Sequence, residues 1–220
     1  DWLQKNTPLL GVSCLEIQNT EADDLIAAYA VQARREGAEV VIATNDKDIL
    51  QVVGEGISIY STVKNDIKDG GFALLGIEAV RGKWGVDPAH IADVLALTGD
   101  SSDNIPGVPG IGEKTAAGLV NAHGGITQIL ANPDAIPNPK LREKITTHRD
   151  LILANREMVR LDDHLDLPAP WPSLEIQPCY PELIAAIRDC EFKSLLKEIE
   201  DEAGVSKKDS EPARVQGELF

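Results

Sequence analysis

The sequence predicts an α/β fold, a parallel-sheet core followed by a helical region built around a helix-hairpin-helix. Two observations carry this. Through the first sixty residues, short β-branched apolar runs alternate with a segment of helical period, the pattern of strands joined by crossovers. From residue 87 onward the spacing is helical, and the glycine-rich run Gly107-Val-Pro-Gly110-Ile-Gly112-Glu-Lys114 separates two apolar helices.

Taken in order, VSCLEI (residues 12–17) reads as a strand in an opening that alternates as an α/β unit. Residues 22–36 read as a helix, with Leu25, Ile26, Tyr29 and Ala33 at helical spacing and Gly37 as its C-terminal stop. EVVIAT (39–44) is a buried strand and GISIY (56–60) a further one, and Gly70-Gly71 marks a turn. Asp87 is the expected N-cap of the next helix, with Pro88 at its first position, Ile91, Val94 and Leu95 as its apolar stripe and Gly99 at its end. A helical region at 140–160, a proline-rich strap at 167–181 and an amphipathic helix at 182–202 complete the reading. The expected division is an acid-bearing α/β core at 1–98, a helical region at 99–202 and a polar, disordered tail at 203–220.

Seven carboxylates fall in three short segments at element ends: Glu21, Asp23 and Asp24; Asp46 and Asp48; and Asp100 and Asp103. Read singly, the first group could complement a helix dipole, with Thr20 as cap and Asp23 closing a capping box, and the others could be turn formers. Those readings leave three acidic clusters on strand and helix ends unexplained. Gathered at the carboxyl edge of a sheet, where ligands of such folds collect, the acids would repel one another strongly. Divalent cations relieve that repulsion, and an all-oxygen, water-rich site suits Mg²⁺ or Mn²⁺.

The hairpin follows the third cluster directly. Gly107, Val108, Gly110, Ile111, Gly112, Lys114 and Thr115 form a backbone-rich phosphate cradle, because glycines permit close approach and the next helix directs unpaired N–H groups at an anion. Such contacts read duplex backbone and not base sequence. Net charge is −15, which on its face argues against a nucleic-acid partner. The distribution answers it: residues 1–100 carry 8 basic and 16 acidic side chains, 101–160 carry 7 and 6, and 161–220 carry 6 and 14. DNA is therefore expected on the middle segment, where Lys140, Arg142, Lys144 and Arg149 add positive charge. Cys14, Cys179 and Cys190 lack zinc or disulfide spacing, and His90, His123, His148 and His164 are scattered. No apolar run could span a bilayer and no export signal opens the chain, so a cytoplasmic, nucleoid-associated protein with no membrane partner is expected.

The stretches EADDLIA, TNDKDILQ, KWGVDP, ALTGDSSDNIPGVPGIGEKTA and EFKSLL, in this order, resemble the 5′-nuclease domain of bacterial DNA polymerase I, in the flap endonuclease family. The resemblance implies a PIN-like nuclease core, incomplete at its N-terminus, followed by a helix-three-turn-helix. It implies a structure-specific 5′→3′ exonuclease and flap endonuclease working by two-metal phosphodiester hydrolysis in Okazaki-fragment maturation and DNA repair. Glu21, Asp23, Asp24, Asp46 and Asp48 would then serve the tighter metal site, and Asp100 and Asp103 the second. It also implies K⁺ on hairpin carbonyls at 108–112, and leaves open whether a polymerase domain follows as a partner. The competing reading is a noncatalytic branched-DNA-binding module. The terminal Gln216-Gly-Glu-Leu219-Phe220 resembles the short motif by which bacterial replication proteins dock on the sliding clamp.

Overall fold

The computed structural model describes residues 2–61 and 73–204. The expected turn at Gly70-Gly71 and the tail residues Gln216, Leu219 and Phe220 lie outside them. The chain divides into two compact units, residues 17–167 and the combination of 1–16 with 168–220.

Helix α1 (Trp2–Asn6) opens the smaller unit, and α2 (Ala22–Arg35) opens the larger. Between them VSCLEI is not a strand. A short apolar segment makes a strand only when a neighbour completes its ladder, and the pairing stops short of it: Leu9 and Gly11 accept from Cys179 and Gln177, whereas Val12 and Cys14 are exposed. Helix α2 buries Leu25, Ala27, Ala28, Ala30 and Ala33, while Ile26, expected in that stripe, is 38% exposed. The face that meets the core is alanine-rich, and small side chains let the helix lie close to the sheet.

The sheet consists of β1 (Val40–Ala43), β2 (Ile57–Ser61) and β3 (Ala73–Leu75). Strands β1 and β2 are parallel, with Val40 opposite Ile57 and Ala43 opposite Tyr60. Strand β3 is antiparallel to β2, so the sheet is mixed where a parallel one is expected. The physical reason is connection length: residues 62–72 are fewer than the roughly one dozen or more a parallel crossover needs.

Helix α3 (Ile77–Trp84) leads to a short 3₁₀ turn at Pro88–His90 and to α4 (Ile91–Thr98). Asp87 makes no side-chain cap there; its carboxylate pairs with Arg81. Helix α4 is buried at every position from Ile91 to Leu97, including Asp93, whose carboxylate pairs with Arg156 and His90, and packs mainly on α8 (Arg149–Val159). The chain then makes a small hairpin of β4 (Gly99–Asp100) and β5 (Ile105–Pro106). Two glycines permit it: a Cβ on Gly107 would lie 2.0 Å from the Thr98 oxygen, and one on Gly99 would lie 2.3 Å from the Gly107 nitrogen.

Helices α5 (Glu113–His123), α6 (Ile126–Ala131) and α7 (Pro139–Thr147) follow before α8. The expected helical region 140–160 is thus two helices meeting at His148. In the smaller unit the expected helix 182–202 is also two, α9 (Tyr180–Asp189) and α10 (Lys193–Glu202), because Glu191 turns left-handed (φ 57°) between them. This turn brings Leu183, Ile187 and Ile199 together with Leu9, Ile184 and Leu196 in one apolar cluster. Among the described residues no helix is long and apolar enough to cross a membrane.

Candidate active site

Asp46 and Asp48 occupy the turn beyond the C-terminal end of β1. The Asp46 N–H donates to Thr44 Oγ1 at 3.0 Å and the Asp48 N–H to Asp46 Oδ1 at 3.0 Å, a local net of short polar side chains that shapes the turn. Asp48 then enters a 3₁₀ turn whose next residues, Ile49 and Leu50, are core, and this anchors the carboxylate inward. Asp100 is delivered by the buried helix α4 and accepts the Ser102 N–H at 2.8 Å; Asp103 stands exposed in the same loop.

One carboxylate oxygen from each of Asp48, Asp100 and Asp103 lies within 4.8 Å of the others. Asp48 Oδ1 and Asp100 Oδ2 are buried with no hydrogen-bond partner, and an orphaned anionic oxygen inside a protein is costly. Burial first, then the charges of Asp46, Asp100 and Asp103, push Asp48 up to about 7. Desolvation and the Asp100 charge raise Asp103 as well. Burial would raise Asp100 too, but the Lys47 ammonium on its Oδ1 and the Ser102 N–H outweigh it and hold this carboxyl below its usual range. An oxygen-only donor set with unsatisfied buried lone pairs fits a hard divalent cation.

A cavity of about 490 Å³ is lined by Glu21, Asp23, Asp24, Asp46, Asp48 and Asp103, so six of the seven acids share one space. The capping-box reading of the first group does not hold: the N-cap of α2 is Glu21, without a side-chain cap bond. Asp23 Oδ1 accepts the Asp24 N–H at 2.9 Å, and Asp24 Oδ1 accepts the Asp162 N–H at 2.7 Å. The close trio joins Asp48 to Asp100 and Asp103, where the resemblance grouped Asp48 with the α2 acids. Glu157 and Arg160, at the end of α8, also line the cavity. Sequence reasoning missed them, and nothing local marks them, since only the packing of α8 against α4 brings them there. Lys47 was missed too, although its place between two candidate ligands was a visible signal.

A second groove, of about 700 Å³, is lined by Lys47, Trp84, Ser101, Gly112, Lys114 and Thr115 among others. It runs beside the first turn of α5, where the Thr115 N–H already donates to Gly112 O at 2.9 Å and the Glu113 and Lys114 N–H groups have no carbonyl a turn below. Gly112 leaves open space there. Other hairpin residues turn inward: Val108 and Ile111 are buried in the core, and Gly107 packs on Thr98. The Val108 N–H donates to Leu97 O and the Ile111 N–H to Val108 O. The expected basic patch is also partly engaged. Arg142 forks onto the Ile136 carbonyl, Arg149 donates to Leu130 O at 2.7 Å, and Lys144 Nζ donates to Pro109 O at 2.7 Å, one of the carbonyls expected to hold K⁺. Lys140 and Lys114 are exposed.

An acid-lined cavity at strand ends, a carboxylate trio suited to divalent metal and a neighbouring hairpin groove define the class: an α/β protein with a candidate divalent-metal centre beside a hairpin. Residues 1–85 match the family profile described as 5′-3′ exonuclease, N-terminal resolvase-like domain, and residues 86–182 match 5′-3′ exonuclease, C-terminal SAM fold. The chain belongs to the 5′-3′ exonuclease family. It is 36% identical to the DNA polymerase I of Rhizobium leguminosarum over 215 residues, 97% of this chain and 20% of that protein. It is 39% identical to the thermostable DNA polymerase I of Thermus filiformis over 191 residues, 86% of this chain and 22% of that protein. The chain thus spans about a fifth of the length of these relatives. In fold it is similar to the bacteriophage T5 flap endonuclease in a pseudo-enzyme-product complex with DNA and metal ions, with TM-score 0.57, 21% identity, and 86% of this chain and 62% of that one covered.

Proposed function

We propose that this chain carries the acidic centre and duplex-binding hairpin of a structure-specific 5′→3′ exonuclease and flap endonuclease, acting on 5′ flaps and nicked duplex in Okazaki-fragment maturation and repair. The observation that supports it best is the trio Asp48, Asp100 and Asp103, with oxygens within 4.8 Å of one another beside a cavity lined by further acids. Asp48, Asp100 and Asp103 would hold one divalent ion, and Glu21, Asp23, Asp24 and Asp46 a second, directly or through water. When bound, Mg²⁺ or Mn²⁺ supplies an acidified water as nucleophile and charge to stabilise the leaving oxygen. The chain's own groups place the substrate. Lys114 and the Glu113 and Lys114 N–H groups at the start of α5 contact phosphates of the duplex, and this fixes which phosphodiester reaches the cavity. No protein nucleophile is required.

The names of the relatives support a polymerase module as partner in the same polypeptide. Cleavage of a labelled 5′-flap duplex in Mg²⁺, against EDTA, tests the reading. Combining Asp100→Asn with Asp103→Asn is expected to abolish cleavage by the intact nuclease while flap affinity measured in EDTA stays within about twofold of the parent's in EDTA, because these carboxylates hold metal and do not grip DNA. Affinity lost in step with rate would reject the assignment.

A further inference from the structure

Lys47 stands between Asp46 and Asp48, and its ammonium pairs with Oδ1 of Asp100. The two partners differ in surroundings: the Asp100 side chain is 1% exposed, the Lys47 side chain 30%. The same lysine lines the hairpin groove together with Gly112, Lys114 and Thr115. It is thus the cation common to both places, on the carboxylate trio at one side and on the groove beside α5 at the other. A divalent ion on Asp48, Asp100 and Asp103 puts positive charge next to the ammonium, and like charges at that distance repel. A flexible four-carbon stem lets the ammonium leave Asp100, and the groove offers room beside Lys114.

We infer that Lys47 is an exchangeable counterion, which holds Asp100 while the trio is free of metal and moves to a DNA phosphate in the hairpin groove when a divalent cation takes the trio. Metal and DNA then favour each other's binding through this one side chain, and the coupling is reciprocal. The inference rests on the proposed reading of the trio as a metal site.

Calorimetric titration of Ca²⁺ into the 220-residue chain tests it, with flap-DNA binding measured across KCl concentrations in Ca²⁺ and in EDTA. Lys47→Met is expected to bind Ca²⁺ roughly fivefold tighter in the absence of DNA, a coupling at the low end of the usual range. Its salt slope for flap binding in Ca²⁺ falls by about one phosphate contact while the slope in EDTA is unchanged, and Lys47→Arg keeps the wild-type slope. Unchanged or weaker Ca²⁺ binding by a Lys47→Met chain whose circular dichroism is native overturns the inference, as does an unchanged slope in Ca²⁺. The pair Asp100→Asn and Asp103→Asn separates the two ideas. Full Ca²⁺ affinity in that pair rejects the metal site and the inference with it, whereas lost affinity there beside wild-type behaviour in both Lys47 variants rejects the inference alone.

Discussion

Asp48 shows how a single residue carries the strain of a binding site. Its carboxyl titrates near 7 because burial and the Asp46, Asp100 and Asp103 charges all oppose ionisation. A group whose folded pKa lies above its unfolded value stabilises below the unfolded value, and that contribution is lost as pH rises through the folded one. Between about pH 4 and 7, therefore, Asp48 makes the metal-free fold progressively less stable; Asp100, held below its usual range, acts in the opposite direction. In EDTA, Asp48→Asn is expected to melt about 2–4 °C above the parent at pH 8, the equivalent of about 1 kcal/mol. The gap should close as pH approaches 4. Thermal melts from pH 4 to 8 check this, and a constant gap would mean that the carboxyl is not perturbed. The site exchanges stability for a place where a cation is wanted.

At the scale of elements, the segment from α4 through β5 is held by backbone contacts that tolerate no added atoms. Gly107→Ala places a methyl against the Thr98 carbonyl and is expected to cost about 3 kcal/mol or more. Gly112→Ala, a few residues on and with open space around it, should change stability by less than about 0.5 kcal/mol. Denaturant titration of the two variants distinguishes a hairpin built by packing from one that is merely glycine-rich. Asn155 holds the same region from α8: it is buried, and its Nδ2 donates to Ala96 O at 3.1 Å and Pro106 O at 2.8 Å. Asn155→Leu deprives the buried Ala96 carbonyl and the partly buried Pro106 carbonyl of this donor and should cost about 2 kcal/mol. It should weaken Ca²⁺ binding as well, since Asp100 and Asp103 lie in the loop between those strands.

For the whole molecule, charge is the governing variable. A chain of net charge −15 binds a polyanion only where its acids are turned away or neutralised, and the two grooves divide that work. The hairpin groove presents Lys114 and Lys47; the adjoining cavity gathers the carboxylates. Flap affinity should therefore rise when divalent ions are added at constant ionic strength. Lys114→Ala should lower the slope of log affinity against log salt by about one contact, with no preference among base sequences. Fluorescence anisotropy on two flaps of unrelated sequence measures both effects, and a slope equal to the parent's would remove Lys114 from the interface.

The sequence by itself determined the identities of the acids, the helix at Ala22–Arg35, the strands near 40 and 57, and a central helix whose apolar stripe Ile91, Val94 and Leu95 had to be buried. These are local properties: composition, period and turn chemistry act within a few residues. Tertiary structure decided what no local pattern encodes. It set Asp48 beside Asp100 and Asp103, some fifty residues away, and put Lys47 on Asp100. It also put Lys144 and Arg142 on carbonyls of Pro109 and Ile136, and brought Glu157 and Arg160 to the acidic cavity on the end of α8. VSCLEI marks the boundary between the two: it reads as a strand, but a strand exists only where another segment accepts its hydrogen bonds, and that is settled by packing.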